Sequence, residues 1–199
     1  MSIENRKVIA CSLSLVISAV VSIFATDTGR HVTEDGLYFI SRCEYCSLSV
    51  YPDPASKGVP YTGGIGATKD VKGKPLVLGD VLSNDDVITM FARDIKREEK
   101  CVITKMDGDK TEFSGGGYSY VMPQSVFDAL VSVIHTVGCQ GLTVNKNGAP
   151  TKIYKYAKTH DYKNTCNHIT DFVYAGGKVN KGLKHRREEE KQYCLKDIE

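Results

Sequence analysis

Two acidic residues and a threonine, close together in the sequence, carry the side chains best suited to catalysis. Eight residues separate Glu44 from Asp53, and Thr62 leads into the glycine-rich run Gly63-Gly64-Ile65-Gly66. Glycoside hydrolysis needs two carboxyl groups in unlike surroundings, because one must donate a proton to the leaving oxygen while the other stays ionised. Taken alone, Glu44 would more simply be a solvated helix residue. The whole pattern indicates acid-base hydrolysis.

Cysteines flank the first of these acids. Cys43 and Cys46 stand three apart, where Cβ atoms on a helix are about 5–6 Å from each other, so a disulfide there needs only modest distortion. Such a bridge would close around Glu44 and misdirect its side chain. The thiol of Cys11 could open it by thiol-disulfide exchange. The alternative is that all three cysteines are only structural, and a zinc site is not expected because no second ligand pair has suitable spacing.

The elements around these residues follow from local signals. A capped start at Thr33 and an apolar stripe predict a helix that reaches about Cys46, which puts Glu44 near its C-terminal end, where the helix dipole disfavours a negative charge. Strands are predicted at 48–51 and 59–65, with Asp53 on the turn between them.

The rest of the chain predicts a larger, mainly helical part. Ser83 caps a helix with an apolar stripe, and the glycine-rich stretch 107–120 is predicted to be a loop. Arg186 and Arg187 begin a short charged helix that ends near Cys194, and a solvated face is expected for it. Four further cysteines allow three pairings, among which the sequence does not choose: Cys101, Cys139, Cys166 and Cys194.

The N-terminal segment has the composition of a membrane anchor. Arg6 and Lys7 precede residues 8–25, which carry no charge and would span about 27 Å as a helix. The basic flank predicts that the rest of the chain lies outside the cytoplasmic membrane. Four serines dilute the apolar residues, so the helix could leave the membrane at modest cost. A cleaved signal peptide is the alternative, but Ile23 lies where cleavage after Ala25 prefers a small residue.

Composition limits the remaining possibilities. The chain of 199 residues can bury one sizeable core, and we expect an anchor over 1–30 followed by one domain over 31–199. A net charge of +2 makes no case for nucleic-acid binding. Seven cysteines indicate an oxidising compartment, and their odd number leaves at least one thiol unpaired.

The spacing of Glu44, Asp53 and Thr62 before a glycine-rich hairpin resembles the phage-type lysozymes of glycoside hydrolase family 24, although eight residues between Asp53 and Thr62 is longer than usual there. The phrases at 127–132 and 172–178 are similar to the same family. The resemblance implies a two-lobed α+β fold, with a small β lobe and a larger helical lobe. It also implies that Glu44 is the general acid, Asp53 the base or electrostatic partner, and Thr62 the residue that orients water.

The same resemblance predicts the activity. The substrate would be the β-1,4 bond between N-acetylmuramic acid and N-acetylglucosamine in peptidoglycan, cleaved without cofactor or metal by a monomer. His135 stands where the family has a cleft-lining aromatic residue and is a weak candidate for substrate contact, with a satisfied surface or core histidine as the alternative. Non-catalytic peptidoglycan binding and lytic transglycosylation are the rival functions.

The cysteines resemble those of the disulfide-caged signal-arrest-release endolysins, made by phages of Gram-negative hosts. The resemblance implies that the chain is held in the host inner membrane through residues 8–25, with its catalytic domain in the periplasm and Glu44 caged by Cys43 and Cys46. Release would let Cys11 exchange with the cage and activate the enzyme, which then lyses the host. Which of the two cysteines takes Cys11 stays open.

Overall fold

The computed structural model describes residues 9–42, 44–53, 58–106, 110–112 and 118–198. The chain forms two compact units. Unit 1 comprises Met1–Thr28 and Ser41–Asp94, and unit 2 comprises Gly29–Ile40 and Ile95–Glu199. Small antiparallel sheets accompany a majority of helix, so the α+β fold class predicted from the sequence is confirmed.

Unit 1 contains an N-terminal helix, a hairpin and the start of a long helix. Its elements are α1 (Leu13–Ala25), β1 (Cys46–Pro52), β2 (Tyr61–Ile65) and the first half of α3 (Asn84–Lys105). The predicted cap of α3 is confirmed, because the Ser83 hydroxyl accepts a hydrogen bond from the Asp86 amide at 3.1 Å and Asp86 accepts one from the Ser83 amide at 2.8 Å. The Ser83 amide and the Ser83 hydroxyl, which donates to the same carboxylate at 2.7 Å, lower the pKa of the Asp86 carboxyl.

One face of α1 is buried in protein. The buried side chains recur at helical spacing, whereas the serines of the segment are exposed, so the helix is amphipathic: Val16, Ile17, Val20 and Phe24 are buried, and Ser14, Ser18 and Ser22 are exposed. The helix begins at Leu13 rather than at Val8, because residues 9–11 are extended and hydrogen-bond to β1. By length and hydropathy the described residues contain one candidate membrane span, 124–143, which is mostly buried; 13–24 is a shorter apolar helix.

The β1–β2 hairpin forms the small sheet of unit 1. The strands are antiparallel, and the register is interrupted by a bulge between Ser47 and Tyr51. Gly64 adopts a left-handed φ of 60°, and a Cβ atom at Gly63 would lie 2.9 Å from the Cδ1 atom of Leu82. Glycine is therefore required here for both backbone conformation and close packing.

Unit 2 holds the larger helical core. Its helices are α2 (Glu34–Ser41, whose last residue belongs to unit 1), the second half of α3, α4 (Gln124–Thr143), α5 (Lys152–Lys158), α6 (Tyr162–Asn167), a 3-10 helix (His168–Asp171) and α7 (Lys181–Leu195). Two short hairpins complete it: β3 (Lys110–Glu112) with β4 (Tyr118–Tyr120), and β5 (Tyr174–Ala175) with β6 (Lys178–Val179). Residues 125–134 of α4 are all buried, and the helix is interrupted at Gly138, where φ is 73°.

Disulfides join elements of unit 2. Cys101 of α3 is bonded to Cys139 of α4, and Cys166 of α6 to Cys194 of α7. This is one of the three pairings that the sequence allowed. The choice depends on helix packing, because only contacts between distant segments decide which sulfurs meet.

Three local predictions were wrong. The helix expected to reach about Cys46 ends at Ser41, and Cys46 instead begins β1. The stretch 107–120, expected to be a loop, contains the paired strands β3 and β4. Arg186 and Arg187 were expected on a solvated face, but both side chains are buried. Both guanidinium groups pair with the buried carboxylate of Glu190.

Candidate active site

Glu44 follows α2 by three residues. Its backbone amide donates to the Ser41 carbonyl at 3.0 Å, which continues the turn beyond the helix, and the residue is part-buried. The sequence placed Glu44 inside the last turn of the helix. Its actual position lies between a helix end and the first residues of β1, in unit 1.

Asp53 and Thr62 lie on the hairpin that follows. Asp53 comes directly after β1, and its carbonyl accepts a hydrogen bond of 2.9 Å from the Gly58 amide across the turn. Thr62 is on β2, with only 8% of its surface exposed. All three predicted catalytic residues therefore belong to unit 1, where a single hairpin carries two of them.

Tyr51 lies on β1 of the same hairpin and was not predicted as part of the site. It lies directly opposite Thr62 in the strand register. Burial raises the pKa of its phenol, and the charges of Glu44 and Asp53 raise it further. Both carboxylates consequently lie within electrostatic reach of one hydroxyl. Its place two residues before Asp53, on a predicted strand, was the only signal in the sequence.

The N-terminal segment is bonded to the same strand. Cys11 and Cys46 form a disulfide with their Cα atoms 5.4 Å apart, the Cys11 amide donates to the Cys46 carbonyl at 3.2 Å, and Ala10 pairs with Ser47. Cys43 lies outside the described residues, so the predicted bridge to Cys46 is not described. The other six cysteines are all paired with one another.

His135 lies in unit 2, on α4. Its Nδ1 atom is 3.0 Å from the Oε2 atom of Glu98, and only 5% of its side chain is exposed. This contact of Nδ1 favours the core histidine that the sequence left open, and substrate contact stays a prediction. In the described part of the chain, no three His, Cys, Asp or Glu side chains are grouped as a metal site requires.

The geometry suits hydrolysis of a polymer by paired acids. A part-buried glutamate, an aspartate directly after β1 and a nearly buried threonine belong to one short hairpin and the residues just before it, and a tyrosine is paired with the threonine.

Comparison with known proteins finds phage lysozymes and phage endolysins. The model of the family described as "Phage lysozyme" matches residues 41–190. The SAR-endolysin of Haemophilus phage HP1 is 32% identical over 98% of this chain and 99% of its own length, and the SAR-endolysin of Escherichia phage P1 is 29% identical over 93% and 90%. The crystal structure of the active form of the P1 phage endolysin Lyz superimposes with a TM-score of 0.75 at 27% identity, covering 94% of this chain and 95% of that one.

Proposed function

The chain belongs to the phage lysozyme family, and from this premise we propose that it is a phage endolysin in which Glu44, Asp53 and Thr62 hydrolyse peptidoglycan under the control of the N-terminal segment. The bond cleaved is the β-1,4 link from C1 of N-acetylmuramic acid to the C4 oxygen of N-acetylglucosamine. The observation that carries the catalytic assignment is that Glu44 lies just before the β1–β2 hairpin, Asp53 directly after β1, and Thr62 on β2, where it pairs with Tyr51.

The roles follow from the chemistry of the bond. Glu44 gives its proton to the glycosidic oxygen as the C1–O bond breaks, and Asp53 takes a proton from the water that attacks C1. Thr62 holds that water through its hydroxyl. One molecule of water is consumed: the new C1 hydroxyl keeps the water's oxygen and one of its protons, and the second proton restores the acid pair.

Substitution of Glu44 tests the catalytic assignment. We expect Glu44→Gln to abolish lysis of purified cell walls while the protein still sediments with them, because glutamine cannot donate a proton to the leaving oxygen. Glu34→Gln, an exposed acid at the start of α2, is the control and should keep full activity. Full lytic activity of Glu44→Gln would overturn the assignment. Product masses distinguish hydrolysis from lytic transglycosylation, because only hydrolysis adds a water.

The second part of the proposal concerns the N-terminal segment. Residues 1–30 anchor the newly made chain in the host inner membrane through 8–25, with the catalytic domain of 31–199 in the periplasm, where Cys43 and Cys46 are bonded around Glu44. On release, the Cys11 thiolate attacks the Cys46 sulfur. The Cys11–Cys46 bond forms, the Cys43–Cys46 bond breaks, and Cys43 leaves as a thiolate that takes up a proton, so no external oxidant is required.

Two features support this sequence of events. The Cys11–Cys46 disulfide is the product that the exchange would give, and it draws residues 9–11 onto β1. The apolar face of α1 is covered by protein, with Val16, Ile17 and Val20 fully buried. A segment that buries its apolar residues in the folded protein has a favourable alternative to lipid. The released form acts as a monomer in the periplasm.

Lysis timing tests the exchange. In cells that express the full chain, Cys11→Ser should leave the protein inert, because nothing opens the cage, whereas Cys43→Ser should lyse the culture early, because no cage forms. Ser12→Ala, a neighbouring exposed position, is the matched control. Turbidity and membrane fractionation are measured together. If Cys11→Ser lysed the culture as the parent does, thiol-disulfide exchange would not be the switch. Activity would then be regulated by membrane tethering alone.

A further inference from the structure

Tyr51 faces the same side of the hairpin as two of the proposed catalytic residues. Directly paired residues of an antiparallel ladder leave the sheet on one face, with Cβ atoms about 4.5–5.5 Å apart, and Tyr51 is paired with Thr62. Asp53 follows two residues later, and side chains at that spacing on an extended chain point to the same side. The bulge between Ser47 and Tyr51 falls just before this position, where it sets the direction of the following side chains.

The phenol of Tyr51 is neutral and carries a raised pKa. Burial is the main cause that raises its pKa, and the charges of Glu44 and Asp53 add to it in that order. The phenol therefore keeps its proton over the whole range in which carboxyl groups exchange theirs. A neutral hydroxyl can both donate and accept a hydrogen bond, as the positioning of a water molecule requires.

The Tyr51 hydroxyl has no hydrogen-bond partner among the described residues. Tyr193 shows the contrast, because its hydroxyl donates to the Asp128 carboxylate at 3.0 Å inside unit 2. A part-buried tyrosine normally directs its hydroxyl to a partner. Packing alone would be served equally well by phenylalanine, and the Tyr51 hydroxyl is not a buried atom, so it is open to a water molecule or a substrate.

We propose that Tyr51 is a further catalytic residue, whose hydroxyl hydrogen-bonds the attacking water together with that of Thr62, on the side of the hairpin that carries Asp53. This inference rests on the function proposed above. The hydroxyls of Tyr51 and Thr62 hydrogen-bond one lone pair and one O–H of the water. The other lone pair of the water is then directed at C1, and its other O–H gives its proton to Asp53. Orientation of this kind lowers the barrier to the chemical step and leaves the affinity for the glycan unchanged.

The test is Tyr51→Phe, which removes only the hydroxyl. We expect kcat on soluble peptidoglycan fragments to fall on the order of 100-fold, as for loss of one positioned hydrogen-bonding group, with KM and the melting temperature unchanged. Tyr45→Phe is the matched control, because Tyr45 is adjacent to Glu44 and 57% exposed, and it should behave like the parent. On the Glu44→Gln background, added Tyr51→Phe should not change sedimentation with cell walls.

A double-mutant cycle with Thr62→Val supplies the second readout. If both hydroxyls hold one water, the combined loss in kcat is smaller than the product of the separate losses, whereas independent roles give the full product. A rise in KM at constant kcat, parental kinetics, or failure of Tyr51→Phe to fold would each overturn the inference. Activity retained by Glu44→Gln would instead overturn the proposed function, so the two failures are distinguishable.

Discussion

Thr33 and Asp128, far apart in the sequence, are joined by a hydrogen bond of 2.5 Å from the threonine hydroxyl to the Oδ2 atom of the carboxylate. The same hydroxyl accepts from the Gly36 amide at 3.0 Å and so caps the start of α2. Gln124 and Tyr193 also donate to Asp128, at 2.7 and 3.0 Å. One buried carboxylate of unit 2 thus organises the entry to the helix that precedes Glu44.

Replacement of this carboxylate should destabilise the protein. Asparagine presents an amide where one carboxylate oxygen now accepts hydrogen bonds, so Asp128→Asn leaves buried donors without an acceptor and should cost about 1–3 kcal/mol of unfolding free energy. Denaturant unfolding at fixed pH measures the change. Asp197→Asn, an exposed position on the C-terminal side of α7, is a control that should cost less.

The pH dependence of that difference has a defined sign. Burial raises the pKa of Asp128 above its ordinary value of 3.8, so the folded state holds the proton more tightly than the unfolded state. The stability from this group is therefore complete below about pH 3.8 and is lost as pH rises through the folded pKa. Because asparagine does not titrate, the deficit of Asp128→Asn should shrink from acid to neutral pH. A deficit that grows with pH would contradict this account.

A methyl group at Gly64 should damage the hairpin that carries Thr62. The residue has a φ of 60°, and an added Cβ atom would lie 3.2 Å from the Cε atom of Met90. Left-handed backbone costs other L residues about 1–2 kcal/mol, so Gly64→Ala should lower stability by at least that amount and reduce lysis. Gly141→Ala in α4, whose nearest neighbour would be an ordinary 3.5 Å away, should have little effect on either thermal unfolding or activity.

The buried face of α1 should contribute to the stability of the released form. Ile17 is fully buried and Ile23 is 38% exposed on the same helix. Truncation of a buried isoleucine to alanine costs about 2–5 kcal/mol, so Ile17→Ala should shift the denaturation midpoint well below that of Ile23→Ala. Both variants are compared after the Cys11–Cys46 bond has been verified by mass spectrometry. Equal midpoints would mean that α1 does not depend on its buried face.

The buried charge cluster of α7 should be sensitive to loss of its carboxylate. Glu190 has no exposed surface and pairs with Arg186 at 3.0 Å and with Arg187 at 2.9 Å, while Ser132 donates to it at 2.7 Å. Removing one member of a buried ion pair costs about 3–5 kcal/mol because the partner charge remains buried. Glu190→Gln should therefore destabilise far more than Glu189→Gln, measured by chemical unfolding. Similar effects would mean that the cluster is solvated in solution.

The sequence predicted features that depend on neighbouring residues. The hairpin strands, the capped start of α3 and the spacing of Glu44, Asp53 and Thr62 follow from periodicity and local chemistry within a few residues. The end of α2 at Ser41 was missed, because residues 42–46 extend the apolar and cysteine pattern of the helix while hydrogen bonding to β2 draws Cys46 into the sheet. Local propensity does not show whether such residues continue a helix or pair with a distant strand.

By itself, the sequence determined the fold class, the family and the chemistry, since these rest on residue types at fixed spacing along one segment. Only the tertiary structure decided which cysteines are bonded, that Tyr51 pairs with Thr62, and that Arg186 and Arg187 are buried. Each of these facts depends on contact between elements: Cys11 meets Cys46 of β1, Tyr51 of β1 meets Thr62 of β2, and Ser132 of α4 closes the charge cluster of α7. They depend on which surfaces pack together, and the free energy of that packing depends on residues from several segments of the chain.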